Sequence, residues 1–424
     1  MRSDPLRFMK SLVARFGDIT THHADGEVVV LLSRPDFARQ VLRDNAANYS
    51  KGRTPDDAML RPLLGNGLLT SSGADWERQR RMFAPAFRRT EVERFDEIIV
   101  TAAVGLANRW RSGGPEQGPV RVDHELTGLT LNVLVKAILG IDFTGVGAGF
   151  GSAVDAINSF IGHFVPDSGQ DPADIERRRR GFLRAKAFLD AVITMIISAR
   201  QATDGHGGDL LASMLATGED MPGSELRDHV LTMVMAGHET TAKALTWTLY
   251  LLDQHPSVSE VVRAEVTDVL MGRLPTAADV PHLEHCRRAV TEAIRLYPPV
   301  WLISRRAISA DVIGGYQIPA GSLVCISPYL LHRDPRYWDD PGSYRPERFA
   351  PGGPADRMSH LYLPFGGGPR VCIGQHLAMT EAVLVLATLL QRVRLTLVPG
   401  SEVEPEALVT LRPRNGLLMT PTAP

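Results

Sequence analysis

The chain has 424 residues, 44% of them hydrophobic and 22% charged, with a formal net charge of −2. This is ordinary globular composition; the lack of a basic surplus argues against nucleic acid as a partner, and length alone allows roughly two or three average domains. The opening residues, MRSDPLRFMK, hold neither a secretory apolar core nor a membrane span of about 20 residues, so a cytoplasmic protein without a membrane anchor is expected.

In chain order, GDITTHHADGEVVVLLS reads as two short strands around a turn at Asp25-Gly26. RPDFARQVL follows as a helix, with Ser33 as N-cap and Pro35 in its first turn. From GADWERQRRMFAPAF to about residue 297 helical periods dominate. The breaks RSGGPEQGP, PDSGQDPAD and QATDGHGGD are too short for interdomain linkers. IERRRRGF, on a helix beginning near Asp174, reads as a solvated basic face. After residue 300 short β-like pieces, LVCIS and VRLTLV, alternate with Pro and Gly turns, and an apolar helical pattern runs from Gly374 to about Leu390. The expected class is mainly α with a small β portion (α+β), as a single large domain over residues 1–424. Its β-rich parts fall at about 15–35 and 300–330 plus C-terminal strands, and its helical parts at about 35–297 and 374–391.

Four stretches could carry chemistry. In WERQRR, Trp76 and Arg80 share a helix face at i, i+4, where an indole N–H beside a guanidinium can hold a carboxylate; a surface basic helix is the plain alternative. In MVMAGHETTAKALTW, an acid and two hydroxyls interrupt an apolar helical run, although a buried polar group without a partner costs on the order of several kcal/mol. The zinc-protease pattern H-E-x-x-H fails, because Ala242 stands where the second histidine is needed. What remains is Gly237 for close approach to something flat or bulky, and Glu239-Thr240 as an acid–alcohol pair whose threonine can bond back to a carbonyl and distort the helix. An acid on an exposed outer face is the alternative.

In AVTEAIRLYPPV, Glu292 and Arg295 can pair at i, i+3 before Pro298-Pro299 stops the helix. In LPFGGGPRVCIGQHLAM, three glycines and a proline preclude regular structure before Cys372, which a loop delivers to a helix N-terminus. Free N–H groups and the helix dipole favour an anion there, hence thiolate character. The glycines match neither G-x-G-x-x-G nor a phosphate loop. With Cys286 and Cys325 far away and no C-x-x-C pair, a disulfide framework or all-cysteine zinc site is not indicated. A reactive thiol, a metal ligand and a plain turn all remain open for Cys372.

In this order the stretches resemble the cytochrome P450 family, the haem-thiolate monooxygenases. FGGGPRVCIG (Phe365 to Gly374) fits the family's F-x-x-G-x-R-x-C-x-G loop at every fixed position, AGHETT (Ala236 to Thr241) its oxygen-activation segment, and Glu292-x-x-Arg295 its E-x-x-R pair. RPERF supplies the partner Arg348, and HRDPRYWDDP is similar to the stretch that precedes that arginine in many members.

The resemblance implies the cytochrome P450 fold and haem b, with Cys372 as the iron ligand. It places Phe365 against the sulfur, Gly366 and Gly374 in the haem loop, and Trp76, Arg80, Arg370 and Arg306 on the propionates. Arg305 is the register alternative to Arg306. Glu292, Arg295 and Arg348 would form a structural ion network. Ala236 and Gly237 would leave room for oxygen and substrate, while Glu239 and Thr240 relay protons; His238 and Thr241 are not expected to be catalytic, and His238 is expected to face away or make a structural bond. The pocket lining is expected at Ser50 to Ser72, Ile161 to Asp171, Val234 to Ala236, and Val300 to Ile303, with Val300, Trp301, Leu302 and Ile303 as an apolar wall.

The implied activity inserts one atom of O2 into an apolar small molecule by hydroxylation or epoxidation, as a tailoring step on a terpenoid, polyketide or fatty-acyl compound. Electrons would come ultimately from NAD(P)H through a ferredoxin or flavodoxin with its reductase, and a monomer is the family default. A haem-thiolate isomerase or peroxide-dependent oxidase would not need the Glu239-Thr240 pair, and neither would a non-enzymatic haem sensor or carrier.

Overall fold

The computed structural model describes residues 4–24, 26–112, 118–140, 147–162, 171–201, 209–215, 222–353 and 360–424. Among these, helices α1 to α5 are Pro5–Phe16, Pro35–Arg39, Pro55–Leu64, Gly73–Phe83 and Arg89–Val92, and α6 to α10 are Asp96–Ser112, Val122–Leu139, Gly147–Gly162, Pro172–Gln201 and Leu210–Leu215. Helices α11 to α15 are Gly223–Gln254, Pro256–Leu270, Glu284–Leu296, Pro328–Leu331 and Gln375–Arg392. Strands β1 to β6 are Ile19–Ala24, Glu27–Leu32, Tyr49–Ser50, Val120–Arg121, Ile303–Ala307 and Asp311–Ile313. Strands β7 to β12 are Tyr316–Ile318, Leu323–Ile326, Arg394–Leu397, Pro405–Ala407, Leu411–Pro413 and Leu418–Thr422.

Local chemistry explains many boundaries. Pro5, Pro35, Pro55, Pro256 and Pro328 each open a helix, where a missing N–H and a fixed φ cost nothing. Asp4 and Thr54 cap α1 and α3 by accepting from Arg7 N at 2.9 Å and Asp57 N at 3.2 Å. Ser33 does not cap α2: its hydroxyl donates to the Asp18 carbonyl at 3.2 Å, and Arg34 occupies the N-cap.

The two sequence-distant β-rich parts meet in one five-stranded sheet of order β1-β2-β8-β5-β3, in which β2 and β8 are parallel and the other pairs antiparallel. A three-stranded sheet, β4-β12-β9, joins the chain's end to β4. The two-residue strands β3 and β4 escape the sequence reading because neither is long enough to show an alternation.

The helical body packs α11 against α7, α9, α13 and α15, and α6 against α7 and α15. Residues Thr241 to Leu249 of α11 are all buried, the signature of a helix inside the body rather than on its surface. There Trp247 stacks on Tyr297 with ring centroids 3.9 Å apart and donates to the Leu411 carbonyl at 3.0 Å.

Behind the Cys372 loop lies a buried ion network. Glu292 and Arg295 are both fully buried and paired at 2.6 Å, and Arg348 reaches Glu292 at 3.2 Å. Arg295 donates to the carbonyls of His332, Pro341 and Ser343, and Arg348 to those of Asp339 and Asp340. His332 Nε2 accepts from Leu363 N at 2.8 Å, and the Leu363 carbonyl accepts from Gly366 N at 3.2 Å. The network therefore connects to the loop that carries Cys372 through a short chain of hydrogen bonds.

Candidate active site

Cys372, the middle of α11 and β5 share one cavity of about 1460 Å³. That exceeds the roughly 300–1,000 Å³ of an ordinary ligand pocket and leaves room for two occupants. Phe365, Gly366, Arg370, Cys372 and Gly374 line it from the loop before α15. The loop is held by a bond from Cys372 N to the Phe365 carbonyl at 2.9 Å. Gly368 is required there: it has φ +67°, and a Cβ on it would lie 1.7 Å from the Leu42 carbonyl oxygen. Cys372 opens onto the cavity. Protein around it pushes the thiol pKa up by burial, while the Gly374 N–H and the Arg80 charge pull it down. The thiolate expected from the helix terminus is thus opposed by burial and needs a stronger positive partner to form.

On α11, Thr232, Met233, Met235, Ala236, Gly237, Thr240, Thr241 and Ala244 line the cavity. Val234, expected in the lining, is not there; it is fully buried in the core cluster. Helix α11 runs unbroken through this stretch, and the threonine back-bond to a carbonyl expected there is present. The Thr240 hydroxyl donates to the Ala236 carbonyl at 3.0 Å and that of Thr241 to Gly237 at 3.3 Å. Glu239 lines the cavity and accepts from the Thr410 hydroxyl at 2.8 Å. His238 is buried, its Nδ1 bonded to the Val234 carbonyl at 2.7 Å. Gly237 serves helix packing as well as the cavity, since a Cβ there would lie 2.7 Å from a Leu134 methyl on α7.

One part of the wall collects cations: Lys51, Arg80, Arg305 and Arg370, with Trp76. Arg370 lies over the Trp76 ring at 4.4 Å and donates to the Ser71 carbonyl at 2.7 Å. Lys51 donates to the Leu69 carbonyl at 3.1 Å. Burial is the leading cause of a lowered pKa in all four: to about 7 for Lys51, to about 10 for Arg305 and Arg370, and downward for Arg80. Asp56 lines the same wall and accepts from the Ser304 hydroxyl.

Arg306 is not in the cavity. Alternation along β5 turns it to the opposite face, where it bonds the carbonyls of Arg53 and Gly321 and pairs with Glu27 at 3.0 Å. Arg305, its register alternative, takes the cavity position.

Val300, Trp301, Leu302 and Ile303 line the cavity, as do Met59, Leu60, Leu63, Leu64, Leu68 and Leu69 within Ser50 to Ser72. The side chains of residues 161–170 lie outside those described. The expected Ser50 to Ser72 lining contains Lys51 and Asp56 without distinguishing them, while Thr410 and Glu381 lie in the wall outside every expected stretch. Only Glu381 had a legible signal, as a lone acid in the apolar run AMTEAVLVLATLL.

The family model for cytochrome P450 matches residues 2–421. The chain belongs to the cytochrome P450 family. It is 36% identical to cyclooctatin synthase of Streptomyces melanosporofaciens, over 97% of this chain and 90% of that protein. It is 34% identical to cyclooctat-9-en-7-ol 5-monooxygenase of the same organism, over 94% and 86% of the two chains, and 32% identical to pentalenene oxygenase of Streptomyces avermitilis, over 97% and 91%. The crystal structure of the cytochrome P450DA heme domain superposes with a TM-score of 0.88 at 27% identity, covering 99% of this chain and 93% of that one. This P450 is a monooxygenase whose family cofactor is haem iron. Among its described residues no helix is long and apolar enough to cross a membrane.

The residues present fit haem. A soft sulfur donor faces an apolar cavity, and the four desolvated cations beside it outnumber the nearby acids Asp56 and Asp57, so the wall calls for a ligand that brings carboxylates.

Proposed function

We propose that this P450 hydroxylates or epoxidises a terpenoid, and that Cys372 is the residue that would hold the iron of haem b. The observation that carries the reading is that Cys372, the Glu239-Thr240 pair and the cation cluster face one apolar cavity. Three relatives bear the printed names cyclooctatin synthase, cyclooctat-9-en-7-ol 5-monooxygenase and pentalenene oxygenase, which favour a terpenoid over a polyketide or fatty-acyl substrate.

Haem, when bound, supplies reductive activation of O2, which a thiolate ligand directs toward O–O cleavage. Cys372 would hold the iron as a thiolate, the metal's charge offsetting the burial that opposes that form. Trp76, Arg80, Arg305, Arg370 and Lys51 would hold the haem carboxylates. Arg305 replaces Arg306 in that set.

Glu239, anchored by Thr410, accepts protons from outside the cavity, and the Thr240 hydroxyl passes them inward by rotating from its bond to Ala236. Met233, Val300, Leu302 and Ile303 exclude bulk water and receive the hydrocarbon. Glu292, Arg295 and Arg348 act at a distance by fixing the loop. Electrons come from NAD(P)H through a ferredoxin or flavodoxin and its reductase, delivered to a monomer in the cytoplasm.

The deciding experiment is the carbon monoxide difference spectrum of the reduced protein, wild type against Cys372→Ser. The wild type should show the strongly red-shifted Soret band of thiolate ligation, and the variant should lack it. A well-folded wild type with an unshifted band would sink the assignment.

A further inference from the structure

Thr130 of α7 has no part in the mechanism above, and it is fully buried. Its hydroxyl has one proton and three carbonyls in reach: Leu126 at 3.0 Å and Thr127 at 3.2 Å on its own helix, and His238 of α11 at 2.8 Å. A helical threonine ordinarily bonds back to its own preceding turn; here the shortest contact crosses to the neighbouring helix. Gly237 permits that approach. A Cβ there would lie 2.7 Å from a methyl of Leu134, and Leu134 stands one turn after Thr130 on the same face of α7. Where the two helices close on the glycine, Thr130 meets the α11 backbone.

The acceptor is the carbonyl of the residue directly before the Glu239-Thr240 pair. Because a peptide unit is planar, the direction of the His238 carbonyl fixes the plane that also holds the Glu239 N–H. Along the same stretch the carbonyls of Val234, Ala236 and Gly237 take bonds from the side chains of His238, Thr240 and Thr241, at 2.7, 3.0 and 3.3 Å. A carbonyl shared in this way gives less to the N–H four residues on, which softens the helix. Of these four side-chain donors three belong to α11, and Thr130 ties the softened stretch to another helix.

We propose that Thr130 is a positioning residue for the Glu239-Thr240 pair: its hydroxyl holds the His238-Glu239 peptide against α7. Both side chains thereby keep their places in the cavity wall while the turn around them stays soft. Thr130 touches neither the cavity nor any group in it, and acts through the backbone alone. The inference rests on the monooxygenase reading, which is what gives the Glu239-Thr240 pair a task.

Two measurements test it. Thr130→Val keeps the size and removes the donor, and each former acceptor retains its helical N–H, so the fold survives; Thr130→Ser keeps the donor. The chain contains two His-Glu sequences, His124-Glu125 and His238-Glu239. Isotope labels on the histidine carbonyls and glutamate nitrogens therefore give one carbonyl-to-amide NMR peak for each, read in the diamagnetic ferrous carbon monoxide complex and assigned with Glu125→Asp. Thr130→Val should move the His238-Glu239 peak and Thr130→Ser should leave it in place, with the His124-Glu125 peak as control. In turnover, Thr130→Val should lose about threefold in product formed per O2 consumed, the order of one hydrogen bond. The difference should leave as hydrogen peroxide with KM unchanged, and Thr130→Ser should restore coupling. In a Thr240→Ala background Thr130→Val should add no further loss, because the two act as one unit. A His238-Glu239 peak unmoved in Thr130→Val shows that the hydroxyl spends its proton within α7 and overturns the proposal. Wild-type coupling in that variant overturns it as well, and so does a full additional loss in the Thr240→Ala background. Absence of the red-shifted band in the wild type overturns the monooxygenase reading instead, and the NMR comparison still reports on the Thr130 bond.

Discussion

Two groups of buried charges in this P450 look alike in composition and differ in accounting. Around Glu292, the protein supplies its own partners: Glu292 accepts from Arg295, Arg348 and the Arg345 backbone, and the arginines spend their remaining donors on named carbonyls. Around the cavity, Lys51, Arg80, Arg305 and Arg370 are desolvated with Asp56 as the acid beside them. The first group is complete within the chain and reads as architecture. The second is incomplete without a visitor and reads as a binding site. Partner accounting, more than burial or charge, separates the two.

That contrast can be broken experimentally. Arg295→Met should leave the Glu292 carboxylate buried without its closest cation and lower stability by about 3–5 kcal/mol; urea unfolding of the haem-loaded protein reads this. A loss under about 1 kcal/mol would mean that the network relaxes freely and does not hold the loop. Arg305→Met should leave chain stability near wild type but speed haem transfer to apomyoglobin, by the roughly 1.5–3 kcal/mol of a hydrogen bond to a charged group. Arg306→Met should leave haem retention unchanged. Equal effects of the two would undo the register assignment on β5. Smaller still in kcal/mol, but diagnostic, Thr240→Ala should raise hydrogen peroxide released per substrate oxidised, and unchanged coupling would remove Thr240 from the relay.

The sequence made the first group and the chemistry of the loop legible for a physical reason: both rest on fixed short spacings, such as i, i+3 for Glu292 and Arg295, or the ten residues from Phe365 to Gly374. Errors came where a decision needed a phase. Val234 was misassigned by one helical step and Arg306 by one strand step, because a helix or strand edge found in sequence carries an uncertainty of a residue or two. Thr410 lies outside every expected stretch, and the Ser50 to Ser72 lining does not single out Lys51 or Asp56, since only tertiary packing brings the segments around residues 51, 305 and 410 to one wall. Gly237 leaves room on the cavity side, and Leu134 of α7 is the neighbour that crowds a side chain there.

The finest test of the contrast is a proton. Burial, then Arg305, pushes Lys51 down, Asp56 pulls it up, and the balance leaves its pKa at about 7. A haem carboxylate arriving beside it favours the ammonium and raises that value. Between the two values, binding takes up a proton, so haem retention should weaken as pH rises above about 7. Lys51→Arg keeps a charge that does not titrate in this range, and should hold haem as the wild type does below about pH 7 without the loss above it. Lys51→Met should be weaker throughout and equally flat. Haem transfer to apomyoglobin across this range distinguishes the three. Parallel profiles for wild type and Lys51→Arg would show that Lys51 is satisfied by the Leu69 carbonyl alone, moving it from the second group of charges to the first.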